Sequence, residues 1–137
     1  MRMHHIGYAV PSLAKAEEVF SCLGFHAIST CQDEARGINI MFIANNENVS
    51  IELIEPFSEK NPIKNILKKC GPAPYHLCFA SRRSAQDVAS SLCAKGFSIL
   101  RAAEFAPALG GDVMFFYSPI IGIIEVFFER SAPHDEN

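Results

Sequence analysis

The sequence of 137 residues lacks the features that would place it in several large protein classes. It has no apolar run of about 18 residues, so no membrane-spanning helix is predicted. Its 12 basic residues are scattered and are outnumbered by 15 acidic ones, which argues against a surface for nucleic acid. The first residues lead into a strand pattern without the hydrophobic segment of a signal peptide, and we expect a cytoplasmic protein.

A cysteine framework is also missing. The five cysteines are an odd number without a CxxC motif, which argues against disulfides and against a zinc ribbon. We expect them to be reduced and mostly buried, as in a cytosolic protein. The composition, 49% hydrophobic and 20% charged, is that of an ordinary globular chain, and its length suits one domain covering residues 1–137.

The first half of the sequence predicts a strand, a helix and three further strands. Ser12 is a suitable N-cap, apolar residues follow it at helical spacing, and Gly24 is placed to end the helix. The predicted strands are His5–Val10, His26–Thr30, Gly37–Ile43 and Val49–Ile54.

The second half repeats this order. A strand at His76–Ser81 precedes a helix that Ser84 begins and Gly96 ends, and three strands follow, at Phe97–Arg101, Asp112–Tyr117 and Ile121–Phe128. Landmark residues recur at nearly one interval: 71 residues from His5 to His76, 72 from Gly24 to Gly96 and 73 from Glu52 to Glu125. Three ordered pairs at one spacing indicate an internal duplication.

We therefore predict an α+β fold with two βαβββ modules in tandem. Module one covers about 3–56, module two covers about 74–129, and residues 130–137 form a tail. A linking helix over about 61–70 is predicted because Asn61 can cap it, Pro62 suits its first position and Gly71 follows its end.

Four residues of this duplicated pattern are candidate metal ligands. In both equivalent strands one face is large and apolar, while the other begins with a histidine, His5 or His76, followed by small residues. Glu52 and Glu125 lie mid-strand among aliphatic residues, where a carboxylate is expensive to bury unless it is paired or bound to metal. If a rough two-fold axis relates the halves, the four side chains converge, balance one divalent cation and leave a position for water or substrate.

Several segments resemble the vicinal-oxygen-chelate superfamily (glyoxalase, bleomycin resistance and dioxygenase proteins), most closely its methylmalonyl-CoA epimerases. They are His4–Val10, Ile51–Pro56, Asn61–Ile63 with Leu67–Gly71, Tyr75–Phe79 and Gly122–Val126. The resemblance implies a curved, barrel-like mixed sheet around a metal site, in an enzyme that forms a homodimer and acts on a small molecule, an acyl thioester. It also implies one divalent metal, Co, Ni, Zn or Mn, held by His5, Glu52, His76 and Glu125.

The implied reaction moves a proton next to the thioester carbonyl through an enolate that the metal stabilises. Glu125 is then both a metal ligand and a base. Glu52 likewise has a catalytic role in addition to its role as a ligand. Epimerases take a second base from around the third strand, but Ala35–Met41 contains no carboxylate. Asn39 is the nearest polar residue there and is a candidate for substrate binding.

Three further residues are candidates for substrate contact. Gly110 and Gly111, in the loop before the seventh strand, would let backbone amides approach a ligand, although a plain turn explains them equally well. Arg101 could meet a substrate carboxylate or phosphate, or be an ordinary exposed arginine.

Two other functions stay open. A lactoylglutathione-lyase-like isomerase would use the same two-histidine, two-glutamate set. A non-catalytic binding or antibiotic-resistance protein would hold no metal, and the complete ligand set argues against it.

Overall fold

A computed structural model describes residues 1–59 and 61–129, so the predicted tail lies outside the described residues. These ranges contain eight strands and three helices. In chain order they are β1 (Arg2–Ala9), α1 (Leu13–Ser21), β2 (His26–Asp33), β3 (Ile38–Ala44), β4 (Ser50–Pro56), α2 (Pro62–Cys70), β5 (Ala73–Ser81), α3 (Ala85–Cys93), β6 (Ser98–Ala106), β7 (Gly111–Ser118) and β8 (Gly122–Phe128).

This order confirms the two βαβββ modules and the linking helix, but most strands are longer than predicted. The strands β1 and β5 begin three residues early, at Arg2 and Ala73, and the largest extensions at the C-terminal end are in β2 and β6. The strand β2 continues from Thr30 to Asp33, and β6 continues from Arg101 to Ala106. Neither extension contains a strong strand-forming run. Both extensions form because the neighbouring strand provides hydrogen bonds as far as the hairpin turn. Strand propensity, which depends on local sequence, does not include these bonds.

The first compact unit spans His5–Leu77. Its strands lie in the order β2-β3-β4-β1, with β1 parallel to β4 and the other pairs antiparallel. The helix α1 covers one face of this sheet and encloses an apolar core. Five buried residues form that core: Val10, Met41, Ile43, Ile51 and Leu53. Side chains of α1, among them Phe20, pack on it, as the large apolar face of β1 predicted.

The second compact unit contains Met1–His4 and residues 78–129 of the described part of the chain. Its strands lie in the order β5-β8-β7-β6, with antiparallel pairs between β8, β7 and β6. Its core is the equivalent cluster, Val88, Met114, Phe116, Ile124 and Val126, with Leu92 of α3 packed on it. Each module thus buries the large side chains of its strands under its own helix.

The cysteines are free, as predicted, but most of them are not buried. Cys22, Cys70 and Cys93 are exposed, and only Cys78 is fully buried. The three exposed cysteines lie at or just beyond helix C-termini, on the turns that leave the core. Within the described ranges, no helix has the length and hydrophobicity needed to cross a membrane.

Asn61 joins the start of α2 to the turn between β2 and β3. Its side-chain Oδ1 accepts a hydrogen bond from the backbone N–H of Ile63 at 2.8 Å, the capping bond expected from the sequence. Its Nδ2 donates to the carbonyls of Arg36 and Gly37, at 2.8 and 2.9 Å. The residue is only 4% exposed, so these three bonds replace water that cannot reach it.

We predict that Asn61→Ala lowers the free energy of unfolding by about 2–3 kcal/mol, because it removes a cap and leaves buried backbone groups without their partner. Ser84→Ala is the matched control, since Ser84 caps α3 through one exposed bond to the N–H of Asp87. Its expected cost is about 1 kcal/mol. Urea unfolding of both variants measures the difference. Equal costs would contradict the role given to the Nδ2 bonds.

Candidate functional site

The face of β1 that is opposite α1 carries the first candidate ligand. Along this strand His5, Gly7 and Ala9 are buried, while Ile6 and Tyr8 alternate with them and are half-buried. Tyr8 contacts the ring of Phe20 on α1 at a centroid distance of 5.4 Å, which fixes its face as the helix side. The small-residue face predicted from the sequence is therefore the face that carries His5.

Three predicted ligands of the first unit come together on this face. The Nε2 atoms of His5 and His76 are 3.3 Å apart, and the His5 Nε2 is 3.6 Å from Oε2 of Glu52. Each residue offers a ligand atom, and these atoms lie within 4.8 Å of one another. All three residues are at most 5% exposed, so water does not screen their charges.

The spacing of the two imidazoles fits a shared cation. Two nitrogen ligands that lie about 2.0–2.1 Å from an ion at tetrahedral angles are about 3.3 Å apart. At this distance the two Nε2 atoms can either form a hydrogen bond, in which one neutral imidazole donates its Nε2–H to the other, or bind one cation between them. Glu52 supplies the negative charge that a buried cation requires. The donor set, two imidazoles and a carboxylate, is one that first-row divalent metals accept.

Aromatic rings hold both imidazoles in place. The ring of Phe42 on β3 meets His5 edge to face at a centroid distance of 5.3 Å, and Tyr75 meets its neighbour His76 at 4.6 Å. Ile38, Ile40 and Phe42 lie on the same face of β3, because they are two residues apart along the strand. The ligands of this unit are therefore lined by apolar side chains, which lowers the local dielectric constant and strengthens any charge interaction there.

Glu125 lies in the second unit, in the middle of β8. It is 4% exposed, between Ile124 and Val126, whose side chains belong to the apolar core of that unit. Alternation directs Glu125 away from this core. A carboxylate is thus buried mid-strand in each module, as the sequence indicated. The assignment of Glu125 as fourth ligand stays a prediction.

Asn39 lies on the other face of β3. It is paired with Glu55 of β4, whose Oε2 accepts a hydrogen bond from the backbone N–H of Leu13 at the start of α1. Asn39 therefore belongs to the helix side of the sheet and is separated from His5 and Glu52. Asn39 thus lies on the face of β3 opposite to the candidate ligands, and its role in substrate binding stays a prediction.

The remaining substrate candidates lie in the second unit. Gly110 has φ of 70° in the turn between β6 and β7, and its N–H donates to the carbonyl of Ala106 at 2.9 Å. Gly111 is buried, and a Cβ there would lie 2.7 Å from the ring of Phe127. Arg101 is exposed on β6, 3.6 Å from a carboxylate oxygen of Glu104. These contacts explain the three residues structurally, and their role in substrate binding stays a prediction.

Two acidic residues that follow candidate ligands in the sequence, Glu55 and Glu129, have structural partners that the sequence did not indicate. Glu55, three residues after Glu52, caps α1 as described above instead of facing solvent. Glu129 accepts a hydrogen bond from Arg2 and lies 3.5 Å from Arg82. The hydrogen bond from Arg2 is the main cause that lowers the pKa of Glu129. The sequence placed Gly7 on the same face as His5. The contact of Phe42 with His5 and that of Gly7 with His76 were not predicted, because they join different strands.

Comparison with known proteins identifies the family of this chain. The family model of the Glyoxalase/Bleomycin resistance protein/Dioxygenase superfamily matches residues 4–115. A mitochondrial methylmalonyl-CoA epimerase of Dictyostelium discoideum is 30% identical over 80 residues, which are 56% of this chain and 47% of that protein. An ethylmalonyl-CoA/methylmalonyl-CoA epimerase of Cereibacter sphaeroides is 33% identical over 81 residues, 57% of this chain and 59% of that protein. The chain thus matches about half the length of these relatives.

The fold agrees over a longer stretch than the sequence does. The crystal structure of methylmalonyl-CoA epimerase from Mycobacterium tuberculosis superposes with a TM-score of 0.82 at 21% identity, covering 95% of this chain and 89% of that one. At this identity the likeness shows the fold alone, and it confirms the predicted α+β class with tandem βαβββ modules. The chain therefore belongs to the glyoxalase, bleomycin resistance protein and dioxygenase superfamily, and it resembles the epimerases of that superfamily.

Proposed function

We propose that this protein is a metal-dependent isomerase or epimerase that moves a proton next to the carbonyl of an acyl-CoA thioester. The observation that carries the proposal is the buried cluster of His5, Glu52 and His76. The Nε2 atoms of its two histidines are 3.3 Å apart, a distance that suits two ligands of one ion. The two curated relatives, both epimerases of malonyl-type CoA thioesters, supply the class of substrate.

In this proposal Glu125 completes the ligand set. Two neutral imidazoles and two carboxylates balance the charge of one divalent cation, and Co, Ni, Zn or Mn would suit these donors. Such an ion, when bound, stabilises the negative charge that develops on the substrate carbonyl oxygen as the neighbouring carbon loses its proton. The chain itself contributes the ligand positions and a buried, apolar lining that keeps bulk water away.

Proton transfer is assigned to the ligand carboxylates. The face of β3 beside His5 carries Ile38, Ile40 and Phe42, so among the described residues of β3 no base is available on that side. Asp33 of β2 shares a face with Ile38, but its carboxylate is held by Arg36, at 2.6 Å from the guanidinium and 3.1 Å from the backbone N–H. Glu52 and Glu125 therefore both bind the ion and exchange the proton in this proposal.

The same observation supports a second candidate function. An isomerase of the lactoylglutathione-lyase type would use two histidines and two glutamates, with the glutamates in the ligand set. The apolar face of β3 fits this arrangement, since no further carboxylate is needed there. The two candidates differ in substrate, a CoA thioester against the adduct of methylglyoxal and glutathione, and a direct comparison of turnover separates them.

We predict that protein purified without chelator and refilled with cobalt or zinc binds one divalent ion per chain. His5→Ala and His76→Ala should each weaken this binding by at least about 100-fold, because losing a ligand costs more than losing its supporting partner. Metal content by elemental analysis and affinity by competition with a chelator measure this.

The matched control for the histidine variants is His4→Ala. The His4 ring contacts Phe127 at a centroid distance of 5.5 Å, and His4 is not one of the proposed ligands. Metal content should stay unchanged in this variant. Absence of metal from the refilled wild-type protein would contradict the proposed function and would favour a non-catalytic binding protein.

We predict that methylmalonyl-CoA exchanges its α-proton with deuterium from solvent in the presence of the metal-loaded protein. Glu125→Gln should lower the exchange rate by roughly 100-fold or more, since an amide cannot accept the proton, and should also weaken metal binding. Mass spectrometry follows the label.

Glu55→Gln is the control for the loss of a carboxylate. Glu55 lies on the helix side of β4 and caps α1, so this variant should lose a little stability and keep its exchange rate. Wild-type-like exchange by Glu125→Gln would refute the assignment of the base. Turnover of the methylglyoxal–glutathione adduct in place of the thioester would decide for the second candidate.

A further inference from the structure

Gly7 lies directly beneath the imidazole ring of His76. A Cβ built on Gly7 would lie 2.0 Å from Cε1, 2.2 Å from Nδ1 and 2.5 Å from Nε2 of that ring. Carbon atoms in contact are about 3.5–4.0 Å apart, so no side chain fits between the strand and the ring. The backbone of Gly7 does not have the positive φ found at six other glycines. The need for glycine at this position is therefore steric.

The strand order explains why the ring occupies this space. The strand β1 lies between β4, which carries Glu52, and β5, which carries His76, and the Cα of Gly7 is the register partner of Glu52. Neighbouring strands are about 4.8 Å apart, so the backbones of β4 and β5 are separated by about 10 Å. The ligand atoms of Glu52 and His76 nevertheless lie within 4.8 Å of each other. Both side chains reach this distance by leaning over β1, where Gly7 has no side chain.

We propose that Gly7 is the positioning residue of the metal centre, because its bare backbone lets the imidazole of His76 come within ligand distance of His5 and Glu52. This inference rests on the proposed metal-dependent function. It concerns how the chain places a ligand, and it assigns a role to a residue that contacts neither metal nor substrate. Ala9, two residues further on the same face, has Ile54 as its register partner on β4, where Gly7 has Glu52.

A metal site tolerates only small changes in the positions of its ligands, so the contact between Gly7 and His76 should affect metal binding. To make room for a methyl group on Gly7, the ring of His76 must retreat by about 1.5 Å, from 2.0 Å to a normal contact of about 3.5 Å. Metal–ligand distances vary by only about 0.2 Å. Gly7→Ala should therefore remove His76 from the ligand set while the side chains of His5 and Glu52 stay unchanged.

The test is a double-mutant cycle with wild type, Gly7→Ala, His76→Ala and the double variant. Cobalt titration measures affinity, and the visible absorption of bound cobalt reports the number of ligands. We expect Gly7→Ala to weaken cobalt binding by about 100-fold and to give the spectrum of His76→Ala. Adding Gly7→Ala to His76→Ala should change affinity less than about 2-fold, since two substitutions that act through one contact are not additive.

Unfolding of the metal-free proteins gives a second, independent measurement. Gly7→Ala should lower the urea midpoint in the wild-type background and have little effect once the His76 ring is gone. If Gly7→Ala fails to fold while the double variant folds, the ring contact is supported in the same way. Val10→Ala is the control for plain loss of stability, because Val10 lies in the α1 core and should leave cobalt affinity unchanged.

Two outcomes would overturn the inference. One is a Gly7→Ala protein that folds and binds cobalt as wild type does. The other is an equal loss of stability and affinity from Gly7→Ala with and without His76, which would place the effect in the backbone. Failure of the proposed function gives a different result, a wild-type protein that binds no cobalt, and the metal-free cycle then still reports on the contact between Gly7 and His76.

Discussion

The structure depends on one electrostatic constraint: a carboxylate and two imidazoles are buried within contact distance of one another. Outside a metal site, burial of Glu52 beside His5 would cost several kcal/mol of desolvation that a single hydrogen-bonded pair rarely recovers. The histidine Nε2 atoms are 3.3 Å apart, close enough to share a hydrogen bond or to bind one cation. The divalent cation of the proposed function would offset the cost of burying Glu52 and would use both imidazoles as ligands.

The duplicated fold leaves one face of each set of strands uncovered by its helix, and the cluster lies on such a face. Each module covers one face of its strands with its own helix, so the large apolar side chains are used on that side. On β1 the other face carries His5 and small residues, and on β3 it carries Ile38, Ile40 and Phe42. In the first unit the parallel pairing of β1 with β4 sets Glu52 beside Gly7, and the absence of a side chain at Gly7 admits His76 from the next strand. Fold stability and ligand placement therefore draw on opposite faces of the same strands.

The apolar face of β3 limits which groups of the proposed site can act as acids or bases. With Ile38, Ile40 and Phe42 beside the ligands, the acid–base groups of the proposed site are its own ligands. A cation that acidifies a substrate also lowers the basicity of the carboxylates that hold it. The two effects oppose each other, so a site of this design suits carbon acids that are already activated, such as thioesters and the adducts of α-ketoaldehydes.

The sequence by itself determined the order of the elements, the duplication, the linking helix capped by Asn61, and the candidacy of His5, Glu52 and His76. These follow from local periodicity, capping chemistry and recurrence at one interval, all of which are written along the chain. Only the tertiary structure decided the face of Asn39, the capping of α1 by Glu55, the extension of β6 and the contact of His76 with Gly7. The face of a strand cannot be read from a sequence that is apolar on both faces. Contacts between side chains of different strands form only once the strands are paired.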